Sequence, residues 1–85
     1  MDLNQYILYE IMKVDSDNST SLFNSLRVLN NKVKVDLLSN ENYSLFYQAK
    51  ISDILKSDLD TEDIIYLRNG GWELSENKEF IVKYI

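Results

Sequence analysis

The sequence predicts an α+β fold: one small domain, ordered helix, helix, hairpin, helix, hairpin, with the helices packed on a largely antiparallel sheet. Three observations predict it. The stretch LDTEDIIYLRNGGWELSENKEFIVKYI, residues 59–85, signals helix start, helix stop, strand, turn and strand in one run. Upstream, apolar residues recur with a helical period as far as Asn30 and alternate from Lys32 to Ser52. The chain has 85 residues, 45% hydrophobic and 27% charged, enough for one modest core.

In chain order, Asp2 can cap a first helix in which Leu3, Ile7, Ile11 and Val14 form a stripe, widened by Leu8 and Met12. Asp15 to Thr20, all small and polar, read as a loop ending in a cap. A second stripe follows from Leu22, Leu26 and Leu29, with Phe23 beside it, and Asn30-Asn31 can end that helix because asparagine tolerates the left-handed conformation. KVKVDLL and YSLFYQAKIS then alternate as strands do. A loop of Ser39 to Glu41 pairs Val33 with Tyr47, Val35 with Leu45 and Leu37 with Tyr43, leaving Leu38 and Phe46 pointing away from the core. Residues 52–57 fit either a short helical turn or the start of a longer helix broken near Asp58.

Asp60 stands at an N-cap, with Glu62 and Asp63 in the first turn where carboxylates meet unpaired N–H groups. The helix runs from Thr61 to Asn69 with Ile64, Ile65 and Leu67 inward and Arg68 in its last turn. Gly70-Gly71, the only glycines, supply a stop in which one takes positive φ. The period then becomes two. A three-residue loop, Glu76-Asn77-Lys78, pairs Leu74 with Phe80 and Trp72 with Val82, with Tyr84 continuing that core face and Asn77 or Lys78 left-handed. A two-residue loop at Glu76-Asn77 would set Leu74 against Glu79 and Glu73 against Phe80, mixing charge into the core. The opposite face reads Glu73, Ser75, Glu79, Ile81, Lys83 and Ile85, and its two isoleucines point to partial cover by another element.

No stretch carries a reaction or ligand signature, so chemistry is approached by exclusion. Without histidine or cysteine there is no triad, no thiolate nucleophile and no zinc site of the usual kind. Adjacent glycines at 70 and 71 cannot form a phosphate-cradling loop. Asp58, Asp60 and Glu62 alternate as in a calcium loop, but Asp63 falls where glycine is needed and Asn69 where a bidentate glutamate belongs. The run from Asp15 to Asp17 fails similarly, with Leu26 at its last place. No cofactor, no metal and no enzymatic activity are expected. Nine basic and fourteen acidic side chains give a net charge of −5, the wrong sign for a nucleic-acid or anionic-membrane partner. With no long apolar run and no basic, cleavable N-terminus, a cytoplasmic protein is expected, in keeping with the lack of cysteine.

Two features stand above this background. The first is an acidic cluster, Asp53, Asp58, Asp60, Glu62 and Asp63, interrupted only by Lys56. It is either helix capping and solvated surface or a patch that docks on a basic protein surface, with Asp58 and Asp63 its less cap-like members. The second is an aromatic load of six tyrosines, three phenylalanines and one tryptophan, from which Tyr6, Tyr9, Phe46 and Tyr66 remain as candidates for an interface. The expected function is a small acidic non-enzymatic module that binds another protein through that protein's basic, nucleic-acid-binding surface, by analogy an inhibitor or regulator of the phage or mobile-element kind; self-association stays open. The alternative comes from residues 50–85: ISDILKSDLDTEDIIYLRNGG followed by a hairpin resembles a winged-helix domain in rhythm. That resemblance implies a DNA-binding transcriptional regulator with Lys78 in the wing and Arg68 and Lys83 nearby, although Asp60, Glu62 and Asp63 would then face phosphates.

Overall fold

A computed structural model describes residues 3–42 and 44–85. The elements are α1 (Leu3–Met12), α2 (Leu22–Asn30), β1 (Asp36–Ser39), β2 (Leu45–Lys50), α3 (Ile51–Lys56), α4 (Thr61–Asn69), β3 (Glu73–Leu74) and β4 (Phe80–Tyr84). This is the expected α+β architecture with one helix more, because residues 51–56 form α3 directly after β2. The proposed Asp2 cap and the Leu37–Tyr43 pair lie outside the described residues.

Helix α4 forms where its local chemistry places it. The Asp60 carboxylate accepts from the Asp63 N–H at 2.9 Å, and the Asp63 carboxylate accepts from the Asp60 N–H at 3.1 Å, a reciprocal capping box. At the other end the Gly71 N–H donates to the Arg68 carbonyl and the Trp72 N–H to that of Leu67, with Gly71 at φ +89°. This is the Schellman stop, and glycine occupies its left-handed position. Gly70 keeps a right-handed φ of −84° and is needed for another reason: a Cβ there would lie 3.0 Å from the Ser25 Cβ. The stop turns Trp72 inward beside Leu67, and both are fully buried. The Trp72 indole N–H donates to the Ser25 hydroxyl at 3.0 Å, and that hydroxyl donates to the Leu22 carbonyl. Helix α2 is thereby fastened to the end of α4. Its N-cap is Ser21, which accepts from the Asn24 N–H, while Thr20 is buried; its C-cap Asn31 is right-handed at φ −73°.

The helical stripes hold with shifts. In α1 the buried residues are Leu8 and Met12, with Ile11 packed against the core, whereas Val14 lies beyond the helix and is exposed. In α2, Leu29 and Ser25 are fully buried and Phe23 is 71% exposed. Ile65 of α4 points outward, since Ile64 and Leu67 take the core positions.

All four strands join one antiparallel sheet in the order β1-β2-β4-β3. Both hairpins form, in registers different from those expected. Leu37 pairs with Tyr47 and Ser39 with Leu45, four residues away from the Val33–Tyr47 register. The cause is the Asn40 side chain, which accepts from the N–H groups of Asn42 and Ser44 and so moves the turn two residues along the chain. Val33 stays with α2, its N–H bonded to the Leu29 carbonyl, and enters the core before the strand begins. In the second hairpin Glu73 pairs with Val82 and Leu74 with Ile81, one residue from the three-residue-loop register. Here the Ser75 hydroxyl accepts from the Phe80 N–H and donates to Asn77, the Lys78 N–H reaches the Ser75 carbonyl, and Lys78 sits at φ +59°. These bonds require four loop residues, Glu76 to Glu79. A slip of one exchanges the faces of β4. Ile81 is therefore the fully buried residue of the core cluster, while Phe80, Val82 and Tyr84 turn to the other side of the sheet, where Val82 is nonetheless buried and Tyr84 exposed.

The core comprises Leu8 and Met12 of α1, Leu29 of α2, Ile51 and Ile54 of α3, Ile64 and Leu67 of α4, with Val33, Ala49, Trp72 and Ile81. Ala49 and Ile81 are direct cross-strand partners, so the helices cover that face of the sheet. Among the described residues, none of Leu38, Phe46, Phe80, Val82 and Tyr84, on the opposite face, belongs to the core cluster.

Replacing Trp72 by alanine is expected to cost about 3–5 kcal/mol in chemical denaturation, as truncation of a large buried aromatic does. Ser25→Ala, which orphans the indole N–H, is expected to cost about 1–3 kcal/mol. If either variant matches the parent, the bond between α2 and Trp72 is not a stabilising feature.

Gly71→Ala forces an L side chain into the left-handed region and is expected to lower stability by about 1–2 kcal/mol. Urea titration of Gly71→Ala against Gly71→Asn checks the cause, since asparagine tolerates that region better. Equal stability of both variants and the parent would rule out a strain at this position.

Candidate functional site

The acidic cluster is divided by the fold. Asp60 and Asp63 hold each other's backbone in the capping box, so Asp63 is a cap residue, contrary to its expected status as one of the less cap-like members. The Asp58 carboxylate lies 2.9 Å from the Lys32 ammonium, which donates a hydrogen bond to it and holds its pKa below the ordinary carboxylate value; their Coulombic attraction adds to this. Asp53 lies in α3 beside two shallow hollows, one shared with Lys34, Asp36 and Lys50, the other with Lys32, Lys34 and Lys56. Lysines distant in sequence therefore interleave with the cluster. Glu62, exposed in the first turn of α4, has no such partner among the described residues.

The four aromatic candidates stand on three elements. Tyr6 of α1 is exposed. Tyr9 is partly buried, and its hydroxyl accepts from Gln5 at 2.8 Å and donates to the Lys78 carbonyl at 3.2 Å, tying α1 to the second hairpin loop. Tyr66 lies at the surface of α4. Among the described residues Phe46 has an aromatic neighbour: its ring centroid is 5.5 Å from that of Tyr84, with the planes tilted by 42°.

That contact belongs to a larger arrangement. Leu38 is paired with Phe46 and Phe46 with Tyr84, so three strands set an apolar row across the open face of the sheet. Leu38 is 40% exposed and Tyr84 49%. The adjacent row is Asp36, Gln48, Val82 and Glu73, which puts a carboxylate at each end, and the next brings Lys50 and Phe80 together. On the helix side of the same end of the sheet, Leu37, Leu45 and Ile85 are also exposed. The Ile85 N–H bonds to the Leu45 carbonyl, extending the pairing past β4. This end is thus apolar on both faces.

Apolar patterning in the sequence points Leu38 and Phe46 outward but sets Tyr84 on the core face. The available signal was the pair of isoleucines, Ile81 and Ile85, on the strand face taken to be polar. Glu73, paired with Val82, then fits an exterior that also carries Tyr84.

The cations implied by the winged-helix rhythm do not act together. Arg68 donates from Nε to the Val14 carbonyl and from Nη1 to the Trp72 carbonyl, at 3.0 Å for the second. Lys78 shapes the hairpin loop, and the Lys83 side chain runs against Gly71. Buried side-chain polar atoms among the described residues all have partners, and no group of three or more acidic residues is placed to hold a metal ion. No described helix is long and apolar enough to cross a membrane. No protein-family model matches the chain, and neither a curated protein nor a solved structure matches it.

The Asp58 carboxyl is expected to titrate below the ordinary range in a carbon-detected NMR titration, and to move up towards it in Lys32→Met. The sign follows from linkage: a lowered folded-state pKa adds stability above the unfolded value, which is lost as pH falls through the folded one. A midpoint indifferent to Lys32 would mean the pair does not persist in solution.

Proposed function

We propose that the chain is a small acidic, non-enzymatic protein-binding module that docks through the open sheet face at Leu38, Phe46 and Tyr84. The observation that carries this reading is the apolar row itself, paired across three strands, with Leu38 and Tyr84 exposed at its ends and all three residues outside the core cluster. Rigid aromatic area already fixed by the sheet loses little conformational freedom on binding, which is why such residues dominate interface energies. The face sits in a chain of net charge −5 and is bordered by Asp36 and Glu73. A complementary partner presents apolar side chains within basic surroundings. Proteins that bind nucleic acid carry such surfaces, and an acidic module seated there would exclude the nucleic acid by competition and like charge. The reading is therefore an inhibitor or regulator of a basic protein. Glu62 and the exposed Asp58 contribute steering at a distance rather than contact energy.

The test compares the parent with Phe46→Ala/Tyr84→Ala in capture from a lysate of the source cell, after circular dichroism has shown both to be folded. A protein retained by the parent is expected to be lost by the variant, its dissociation constant rising about 30-fold or more, as for truncation of an interface hot spot. Glu62→Gln is expected to slow association without altering the dissociation rate. Equal retention by parent and double variant would refute docking on this face.

A further inference from the structure

Strand β1 lies at the edge of the sheet, and the hydrogen-bond phase says which of its backbone groups are free. The Asn40 N–H donates to the Ser44 carbonyl, making that a hydrogen-bonded pair in the β1–β2 register. In antiparallel pairing such pairs alternate with non-hydrogen-bonded ones, so Asp36 and Leu38 bond towards β2. Leu37 and Ser39 turn their N–H and C=O groups outward. Several protections of an edge are absent, since the chain has no proline, the register runs without a bulge and no lysine lies within β1, whose one charged residue, Asp36, stands at its end. The opposite edge, β3, is only two residues long.

We propose that a second copy of this chain pairs with β1, antiparallel about a twofold axis at Leu38, joining the two four-stranded sheets edge to edge. An outward-facing residue must meet an outward-facing residue, so Leu37 and Ser39 can bond only to odd-numbered positions. A twofold axis at Asp36 satisfies this but sets two carboxylates against each other. An axis at Leu37 sets Asp36 against the partner's Leu38. With the axis at Leu38, Leu37 exchanges bonds with the partner's Ser39 and Ser39 with the partner's Leu37, while Asp36 faces the uncharged Asn40. The two Leu38 side chains then meet in a non-hydrogen-bonded pair, the closer type. The apolar row continues without a break, from Tyr84, Phe46 and Leu38 to the partner's Leu38, Phe46 and Tyr84. Self-pairing uses the edge and leaves the sheet face open, so it goes beyond the docking function and doubles the face on which that docking relies.

The chain has no cysteine, which makes Leu38→Cys a clean reporter. Cα atoms in a non-hydrogen-bonded pair are about 4.5 Å apart, inside disulfide reach. Under mild oxidation Leu38→Cys is expected to form covalent dimers roughly tenfold faster or more than Leu45→Cys, a comparably exposed position on β2 that is remote from the twofold axis. Sedimentation equilibrium of the parent is expected to show a concentration-dependent doubling of mass. In Leu38→Lys, which opposes two cations at the axis, the dimer dissociation constant is expected to rise roughly tenfold or more. Amide exchange at Leu37 and Ser39 is expected to slow as concentration rises. A parent that stays monomeric at millimolar concentration, equal cross-linking of the two cysteine variants, or a dimer unmoved by Leu38→Lys would each overturn the proposal. A monomer that still retains a partner through Phe46 and Tyr84 would overturn self-pairing alone. A dimer that retains the same proteins after loss of both rings would leave self-pairing standing and overturn the docking function.

Discussion

The bond from the Trp72 indole to the Ser25 hydroxyl is the constraint on which the remaining packing depends. A fully buried indole N–H must find an acceptor, and Ser25 is the residue of α2 that supplies one. The approach is possible because Gly70 has no side chain where α2 meets the end of α4. Further bonds close the same junction: the Thr20 N–H and the Ser16 hydroxyl both donate to the Asn69 carbonyl, and Arg68 reaches the carbonyls of Val14 and Trp72. The polar segment between α1 and α2 is in this way laid against the C-terminus of α4, where unpaired carbonyls need donors. Everything on the helical side takes its position from that junction.

From it follows the division of the sheet into a covered and an open face. Trp72 and Leu74 enter β3 on the covered face, and the Ser75–Asn77 loop sets Ile81 opposite Leu74. Because β4 pairs with β2 on its other side, the same choice sets Ala49 with Ile81 inside and Phe46 with Tyr84 outside. One loop hydrogen bond therefore reaches across the molecule to decide which aromatic rings meet solvent. The candidate docking row is a consequence of register.

How much of that site was legible depends on the range of the interactions. Phe46 and Leu38 break the alternation of their hairpin, and that anomaly is visible in the sequence without any structure. For Tyr84, apolar patterning favours Phe80, Val82 and Tyr84 inward, and the Ser75 hydroxyl bond that overrides it has no strong signature. The acidic cluster was legible as composition, but its pairing with Lys32 spans 26 positions and its mixing with Lys34 and Lys50 needs the turn from β2 into α3. Lysines remote in sequence arrive only when the chain is folded.

The sequence by itself determined the elements whose bonds close within a few residues. The Asp60 N-cap, a left-handed glycine in the Gly70-Gly71 stop, a left-handed residue at Asn77 or Lys78, and the inward turn of Trp72 after the helix stop are all local, so side-chain chemistry and backbone sterics suffice to place them. Only the tertiary structure decided the two hairpin registers, the insertion of β4 beside β2, the conversion of residues 51–56 to helix and the identity of the exposed row. Each of those is settled by competition between alternatives with similar local preference. What separates them is how completely a shared core can be filled: a shift of four residues in one hairpin keeps the faces, and a shift of one in the other exchanges them.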